Sequence, residues 1–146
     1  MTYDIMTTRK IRKTLSIKNP AQLHEFLKRY AKSRQEQFFV ITLNGAHEVI
    51  SIHIATIGLM NKTIIHPREV FIHAIKDNSY SIIIAHNHPS GNVNPSPEDE
   101  EMTKRLSESA QILGIHLLDH LIISKHCYYS FRQEENILKS TLLDQI

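Results

Sequence analysis

This chain of 146 residues is nearly free of cysteine and contains no long hydrophobic run. Its single cysteine, Cys127, excludes an internal disulfide framework and every zinc site built mainly from cysteines, and it favours a reducing compartment. No apolar run approaches the roughly 20 residues that a membrane span needs, and the first residues lack a signal-peptide pattern. We therefore predict a cytoplasmic protein that has no membrane contact.

The composition is that of one ordinary globular domain, because 41% of the residues are hydrophobic and 22% are charged. The net charge of +2 is uneven, since residues 1–35 hold nine basic and two acidic side chains. We predict a basic N-terminal arm over residues 1–15, followed by a single domain over residues 16–146. The segment Arg9–Lys13 could give a weak DNA contact, although a solvated terminus explains it more simply.

Turn signals and hydrophobic periodicity predict nine elements in the order α-β-β-α-β-α-β-β-α. Asn19-Pro20 starts a helix, and Asn44-Gly45 indicates a two-residue hairpin. Tyr80–Ala85 is a nearly continuous apolar run, which is typical of a strand covered on both faces. The predicted fold class is therefore α/β (α+β), with a mixed β-sheet sandwiched by helices.

Three further segments complete this prediction. The return strand of the hairpin, residues 48–57, could be an exposed edge that pairs with a second copy in a homodimer, although a simple hairpin explains it equally well. Residues 58–62 are expected to form a loop or turn. Residues 133–144 can form a terminal helix.

Two histidines, a serine and an aspartate follow one another at a spacing that suggests a metal site. His86 and His88 are two residues apart directly after an apolar run, Ser96 follows after seven residues, and Asp99 after two more. If the run is a strand, both imidazoles lie on one face, about 6–7 Å apart along the chain. Two imidazoles and one carboxylate would leave one tetrahedral position for water.

Each part of this pattern also has a simpler interpretation. Ser96-Pro97-Glu98-Asp99 is by itself a good helix start, and some histidine pairs occur by chance among ten histidines. The combination of strand end, loop and helix start favours the metal site. Asp119 and His120 lie within an apolar strand, so at least one must be buried and paired. The sequence leaves two roles open for them: either they support a metal ligand, or they form an ordinary internal hydrogen bond.

The pattern H-x-H-x7-S-x2-D matches that of the JAMM, or MPN-plus, metalloproteases without a gap. The neighbouring segments closely resemble the RadC family of JAB domain proteins. They are His66-Pro67-Arg68-Glu69, Ala85–Asn92, Pro95-Ser96, Leu118–Ile123 and Tyr128–Phe131. The resemblance extends from about residue 36 to residue 131, and its motifs are specific.

The resemblance implies a JAB/MPN-type, three-layer architecture like that of cytidine deaminases, and a zinc-dependent hydrolase that cleaves a peptide or isopeptide amide. One Zn²⁺ ion would be held by His86, His88 and Asp99, and a metal-activated water would attack the substrate. Ser96 would stabilise the oxyanion. An acidic residue on an early element would act as general base, and Glu36 is the best match. Glu48 is a weaker match.

Alternatives from other classes are a DNA-repair-associated protein or nuclease and a catalytically silent interaction module. Phosphodiester cleavage usually uses two metal ions, and the sequence offers ligands for one. A nucleobase deaminase is excluded, because a chain with one cysteine cannot contain a P-C-x-x-C segment. Longer RadC proteins carry a helix-hairpin-helix region, and we expect this chain to be the short form without it. The substrate protein or peptide stays unidentified, and iron, cobalt or nickel would also suit the ligands.

Overall fold

A computed structural model of the chain describes residues 7–10, 15–29, 34–56 and 65–135, without the side chains of residues 7–10 and 55–56. The described elements, in chain order, are β1 (Thr7–Lys10), α1 (Pro20–Leu27), β2 (Gln37–Leu43), β3 (Val49–Thr56), α2 (Pro67–Lys76), β4 (Ser81–Asn87), α3 (Pro97–Leu113), β5 (His116–Ile123), β6 (Tyr128–Ser130) and α4 (Phe131–Glu134). None of the described helices is both long enough and apolar enough to cross a membrane.

The strands form one mixed six-stranded sheet in the order β1-β3-β2-β4-β5-β6. Strands β4 and β5 pair in parallel, because helix α3 carries the chain back between them. The other neighbouring strands pair antiparallel. Strand β4 lies in the interior of the sheet, and all seven of its residues are buried. This confirms the prediction of a strand covered on both faces.

Hydrophobic layers cover both faces of the sheet. Phe38 and Phe39 are adjacent in β2 and point to opposite faces, because side chains alternate along a strand. Helices α2, α3 and α4 pack on the face of Phe38, which we call the α3 face. Helix α1 packs through Leu23 and Leu27 on the face of Phe39, the α1 face. Each buried phenylalanine contributes about 1.5–3 kcal/mol, and the layers confirm the predicted three-layer fold.

The edge of the sheet differs from the prediction. Residues 7–10, which the sequence places in an arm, form strand β1 and pair antiparallel with residues 51–54 of β3. Strand β3 is therefore an interior strand, and the suggestion that it is an exposed edge was wrong. The backbone groups on that side of β3 need hydrogen-bond partners, and β1 supplies them. The other residues of the predicted arm up to residue 14 lie outside the described residues.

The β2–β3 turn is longer than the predicted two-residue hairpin. It covers residues 44–48, and the left-handed conformation falls on His47, at φ 59°, rather than on Gly45. The reason is the Asn44 side chain, whose Oδ1 accepts hydrogen bonds from the backbone N–H groups of Ala46 at 2.9 Å and Glu48 at 3.0 Å. An asparagine turn thus replaces the Asn-Gly turn.

The first helix begins as the sequence predicts, whereas the last described helix begins earlier than predicted. The Asn19 side chain caps α1 as predicted, by accepting from Gln22 N at 2.8 Å. The described part of the predicted terminal helix is the short α4, which begins at Phe131. The predicted loop at residues 58–62 and the chain after residue 135 lie outside the described residues.

Candidate metal centre

Strand β4 and helix α3 bring the predicted ligands together on the α3 face. His86 pairs directly with Phe38 in the neighbouring strand, so both side chains lie on that face. His88 is two residues further along the chain, and Asp99 lies in the first turn of α3. The side chains of His86 and Asp99 are fully buried, whereas His88 is 12% exposed. The open side of the site is therefore next to His88.

The loop after β4 holds His88 through its backbone. Gly91 has φ 91°, which favours glycine, and its N–H donates to the His88 carbonyl at 3.0 Å. The same turn places the Asn92 carbonyl oxygen 2.8 Å from His88 Nδ1. Because a carbonyl can only accept, Nδ1 carries the hydrogen, and Nε2 of a neutral ring keeps a lone pair.

Distances among the three donor groups fit one small ion. Nε2 of His86 lies 3.1 Å from Nε2 of His88 and 3.1 Å from Oδ1 of Asp99. His88 Nε2 lies 3.3 Å from Asp99 Oδ2. Ligands bound tetrahedrally to zinc at about 2.0–2.1 Å are separated by about 3.3 Å. These residues form a potential metal-binding triad with a donor set that suits zinc.

The electrostatic surroundings of Asp99 favour the ionised form of its carboxyl group, which is the form that can bind a metal ion. Burial opposes ionisation, but the close contacts of the carboxyl group with the His86 and His88 imidazoles outweigh it and hold the pKa of Asp99 below its usual range. A carboxylate is therefore present at neutral pH. Buried carboxylates need partners of this kind, and a cation would provide one.

Ser96 caps helix α3 and contacts Asp99 in both directions. Its Oγ accepts from Asp99 N at 3.1 Å, and Asp99 Oδ2 accepts from Ser96 N at 2.9 Å. This reciprocal capping box is the simple helix start that the sequence indicated. It also holds the Asp99 carboxylate beside the two imidazoles, so the helix-start and metal-site interpretations describe the same geometry. Ser96 itself is only partly buried.

Glu36 lies at the entry to β2, the strand that pairs with β4. It directly precedes Gln37, and two residues further along the chain Phe38 pairs with His86. Glu36 therefore lies near the strand end that carries the histidines, and it is partly buried. Glu48, the weaker match, lies in the β2–β3 turn region and forms a hydrogen bond with Asn44 at 3.0 Å.

Asp119 and His120 are both buried but have different surroundings. Asp119 accepts from Ser130 Oγ at 2.6 Å and from Arg132 N at 3.0 Å, and burial raises its pKa. His120 points to the α3 face, where its Nε2 lies 2.8 Å from His86 Nδ1. Of these two residues, His120 is the one that contacts a member of the triad, and Asp119 makes ordinary internal hydrogen bonds.

Three residues that contact the site were missed from the sequence: Asn87, Asn92 and Thr103. Asn87 and Asn92 belong to a segment that was interpreted only as strand end and loop. Thr103 Oγ1 donates to the Asp99 carbonyl at 2.7 Å and lies 2.5 Å from His120 Nδ1. Its spacing of four residues from Asp99 places both on one helix face, which was the available signal.

A mixed sheet with two histidines at the end of an interior strand and in the residue after it, followed by a helix with an aspartate in its first turn, is the arrangement of a JAB-type domain. The sequence profile described as the RadC-like JAB domain matches residues 17–137. The chain belongs to this family, which confirms the resemblance seen in its motifs.

Relatives of known sequence carry the name UPF0758 protein. The chain is 48% identical over 121 residues to one from Alkaliphilus metalliredigens, covering 81% of this chain and 51% of the relative. It is 53% identical over 100 residues to one from Picosynechococcus sp., covering 68% and 41%. It is 56% identical over 98 residues to one from Methanospirillum hungatei, covering 67% and 44%. The chain thus spans about half the length of the curated relatives it matches.

Proposed function

We propose that this protein is a zinc-dependent hydrolase of the JAMM type that cleaves a peptide or isopeptide amide. The observation that supports it most is the triangle of His86 Nε2, His88 Nε2 and the Asp99 carboxylate, with separations of 3.1–3.3 Å. Both imidazoles contact protein groups through Nδ1, which leaves their Nε2 atoms directed at a common point. Membership of the JAB family supports the same chemistry.

His86, His88 and Asp99 would hold the ion. A Zn²⁺ ion in such a site acts as a Lewis acid and lowers the pKa of water from 15.7 toward about 7. The buried surroundings of His86 and Asp99 exclude bulk water from one side of the site. The substrate would approach from the side of His88, where the site opens.

Ser96 would donate a hydrogen bond to the developing oxyanion. Its Oγ acts as an acceptor from Asp99 N within the helix cap, which leaves its own hydrogen to point outward. The cap also holds the hydroxyl on the rigid start of α3. Removal of one such donor in other hydrolases costs about 3–4 kcal/mol of transition-state stabilisation.

Glu36 would accept the proton of the attacking water and return it to the leaving amine. The Asn87 side chain holds the chain on both sides of Glu36, since it accepts from Gln37 N and donates to the Gln35 carbonyl. A general base must be held within hydrogen-bond reach of the proton it takes. This backbone clamp would provide that placement.

The first test is metal content, followed by turnover. Elemental analysis of the purified full chain should find one zinc ion per chain, and His88→Ala should lose it. His126→Ala is the matched control, because His126 is an exposed histidine outside the triad. A peptide and isopeptide library should then show cleavage by the zinc form only. The absence of bound metal in the wild-type chain would refute the proposal.

A second candidate function is binding or cleavage of nucleic acid, which one feature favours. A cleft of about 1080 Å³ adjoins His88, and Lys28, Arg29, Arg34 and Lys125 line it. Glu25 neutralises Lys28 through an ion pair of 2.9 Å, so three cations remain for an anionic ligand. Steep salt dependence of DNA binding, lost on charge removal at Arg34 and Lys125, would favour this function.

A further inference from the structure

A line of three hydrogen-bonded side chains leads from His86 into the protein. His86 Nδ1 lies 2.8 Å from His120 Nε2, and His120 Nδ1 lies 2.5 Å from Thr103 Oγ1. Thr103 Oγ1 also lies 2.7 Å from the Asp99 carbonyl oxygen. His86, His120 and Thr103 have no solvent exposure, so water does not compete for these contacts. We propose that His120 and Thr103 are positioning residues that fix the tautomer of His86, keeping its Nε2 free of hydrogen for a metal ion.

The contact between the two imidazoles permits two opposite arrangements. In the first, His86 Nδ1 donates to His120 Nε2, and the neutral His86 ring keeps a lone pair on Nε2. In the second, His120 Nε2 donates to His86 Nδ1, and the neutral His86 ring carries its hydrogen on Nε2. Only the first arrangement leaves Nε2 able to bind a cation. The contact between the two imidazoles therefore does not by itself determine whether His86 Nε2 can bind a metal ion.

Thr103 selects the first arrangement. The Asp99 carbonyl oxygen has no hydrogen to give, so the contact with Thr103 uses the single hydrogen of the Thr103 hydroxyl. Thr103 Oγ1 must then accept from His120 Nδ1. A neutral His120 with its hydrogen on Nδ1 has a lone pair on Nε2, and this lone pair accepts from His86. Every hydrogen in the line therefore points away from the metal site.

The His120 ring is also held in orientation by its packing. It stacks on Phe131 with ring planes 6° apart and centroids separated by 4.7 Å. A ring flip of His120 would place carbon atoms where its nitrogen atoms now form hydrogen bonds. The flip is opposed because the stacked ring is enclosed in the core. Packing thus fixes where the nitrogens lie, and Thr103 fixes which nitrogen carries the hydrogen.

Both histidines of the triad keep their hydrogen on Nδ1 because of a backbone carbonyl, His88 by a direct hydrogen bond and His86 by an indirect one. His88 donates directly to the carbonyl of Asn92. His86 reaches the carbonyl of Asp99 through two intervening side chains, and Asp99 is the third member of the triad. Asp99 thus supplies a carboxylate to the site, and its backbone carbonyl is the acceptor that determines the tautomer of His86. This inference rests on the proposed metal site, but the tautomers can be measured without metal.

The direct test is nitrogen-15 NMR of the histidines in the metal-free full chain. Long-range proton–nitrogen correlations show which ring nitrogen carries hydrogen, and loss of signals in His86→Gln and His120→Gln assigns the two rings. Both rings are expected to carry hydrogen on Nδ1. Hydrogen on Nε2 of either ring would overturn the inference. This readout needs neither a bound ion nor a substrate.

Thr103→Val and Thr103→Ser form a matched pair for metal affinity. Valine keeps the shape but removes the hydroxyl, so His120 Nδ1 loses its acceptor and the imidazole pair can reverse. Zn²⁺ or Co²⁺ affinity of Thr103→Val should fall by about 10–100-fold, the usual effect of losing such an outer hydrogen bond, and Thr103→Ser should stay near wild type. Wild-type affinity in a folded Thr103→Val chain would contradict the inference.

The outcomes separate this inference from the proposed function. A wild-type chain that takes up no metal refutes the metal-centre proposal, whereas the NMR tautomers alone then decide the order of the hydrogen bonds. A chain that binds zinc with hydrogen on His86 Nδ1, and loses affinity on Thr103→Val, supports both. If Thr103→Val does not fold, the wild-type NMR measurement still decides the matter.

Discussion

Asn87 Oδ1 accepts a hydrogen bond from the backbone N–H of Gln37 at 2.5 Å. The other end of the same amide donates to the Gln35 carbonyl at 3.2 Å. One side chain, located between the two histidines of the triad, therefore holds the backbone on both sides of Glu36. The link couples the end of β4 to the start of β2 across a sequence separation of about fifty residues.

Asn87→Ala should lower both stability and turnover without loss of metal. The backbone groups of Gln35 and Gln37 would lose their partners in a partly buried place, which costs about 1–3 kcal/mol. Urea unfolding measures the stability, and elemental analysis measures the metal. Asn44→Ala, which removes an asparagine from the distant β2–β3 turn, is the control and should affect stability alone. Full turnover in Asn87→Ala would show that the clamp does not position Glu36.

Glu36→Gln should abolish turnover while zinc remains bound. The amide has the same size as the carboxylate but cannot take a proton, and loss of a general base costs about 10²–10⁴-fold in rate. Glu48→Gln is the matched control and should retain activity, because Glu48 lies in the turn. Kinetics on a verified substrate, with zinc content measured in parallel, checks this. Activity retained in Glu36→Gln would assign the base to another residue.

Ser96 has a capping role and a proposed catalytic role, and two substitutions separate them. Ser96→Ala removes both, so stability should fall by about 0.5–2 kcal/mol and the rate by about 10²–10³-fold. Ser96→Thr keeps a hydroxyl for both roles and should retain most activity. Thermal unfolding and steady-state kinetics measure the two effects. If Ser96→Ala were as active as Ser96→Thr, the hydroxyl would have no catalytic role, and Ser96 would act only as the cap of α3.

Zinc should stabilise the folded chain, because the three donors meet only in the native state. At a free zinc concentration one hundred times Kd, the stabilisation is about 2.7 kcal/mol. Chelation should therefore lower the Tm of the wild-type chain. The Tm of His88→Ala should not respond to zinc or chelator. An equal response in this variant would locate the stabilising ion elsewhere.

The cluster of His53, His73 and Asp77 should make the protein less stable in acid. Burial and the nearby His53 lower the pKa of His73 from 6.5 to about 4. A group with a lowered histidine pKa binds more protons when unfolded, so stability falls as the pH drops from about 6.5 to 4. His73→Gln should show a weaker loss over that range in urea unfolding of metal-free protein. An unchanged pH profile would contradict this assignment.

Asp77 should add to this loss at lower pH. Burial raises its pKa, but hydrogen bonds from His53 at 2.8 Å and Thr42 at 2.7 Å outweigh that effect and lower it overall. Its contribution is present above the unfolded pKa and is lost as the pH falls through the lowered one. The difference in stability between wild type and Asp77→Asn should therefore shrink in acid. A constant difference would exclude the ionisation of Asp77 as its cause.

The sequence by itself determined the fold class, the family and the triad. Strand pattern, hairpin region and helix starts are local signals, and His86, His88, Ser96 and Asp99 lie within fourteen residues of one another. Because only a strand end, a short loop and a helix start separate them, these side chains lie close together in the fold. The catalytic roles of Glu36 and Ser96, the zinc identity, the cytoplasmic location and the partners stay predictions.

Only the tertiary structure decided what surrounds the triad. Pairing of β4 with β5 brings His120 to His86, and pairing of β4 with β2 brings Asn87 to the backbone around Glu36. The same holds for β1, whose short basic sequence has no periodicity and forms a strand because β3 offers unpaired backbone groups. These contacts depend on strand order and register, which residues far apart in sequence determine together. Local patterns contain no information about that order, so the hydrogen-bonded line behind His86 could be seen only in the folded chain.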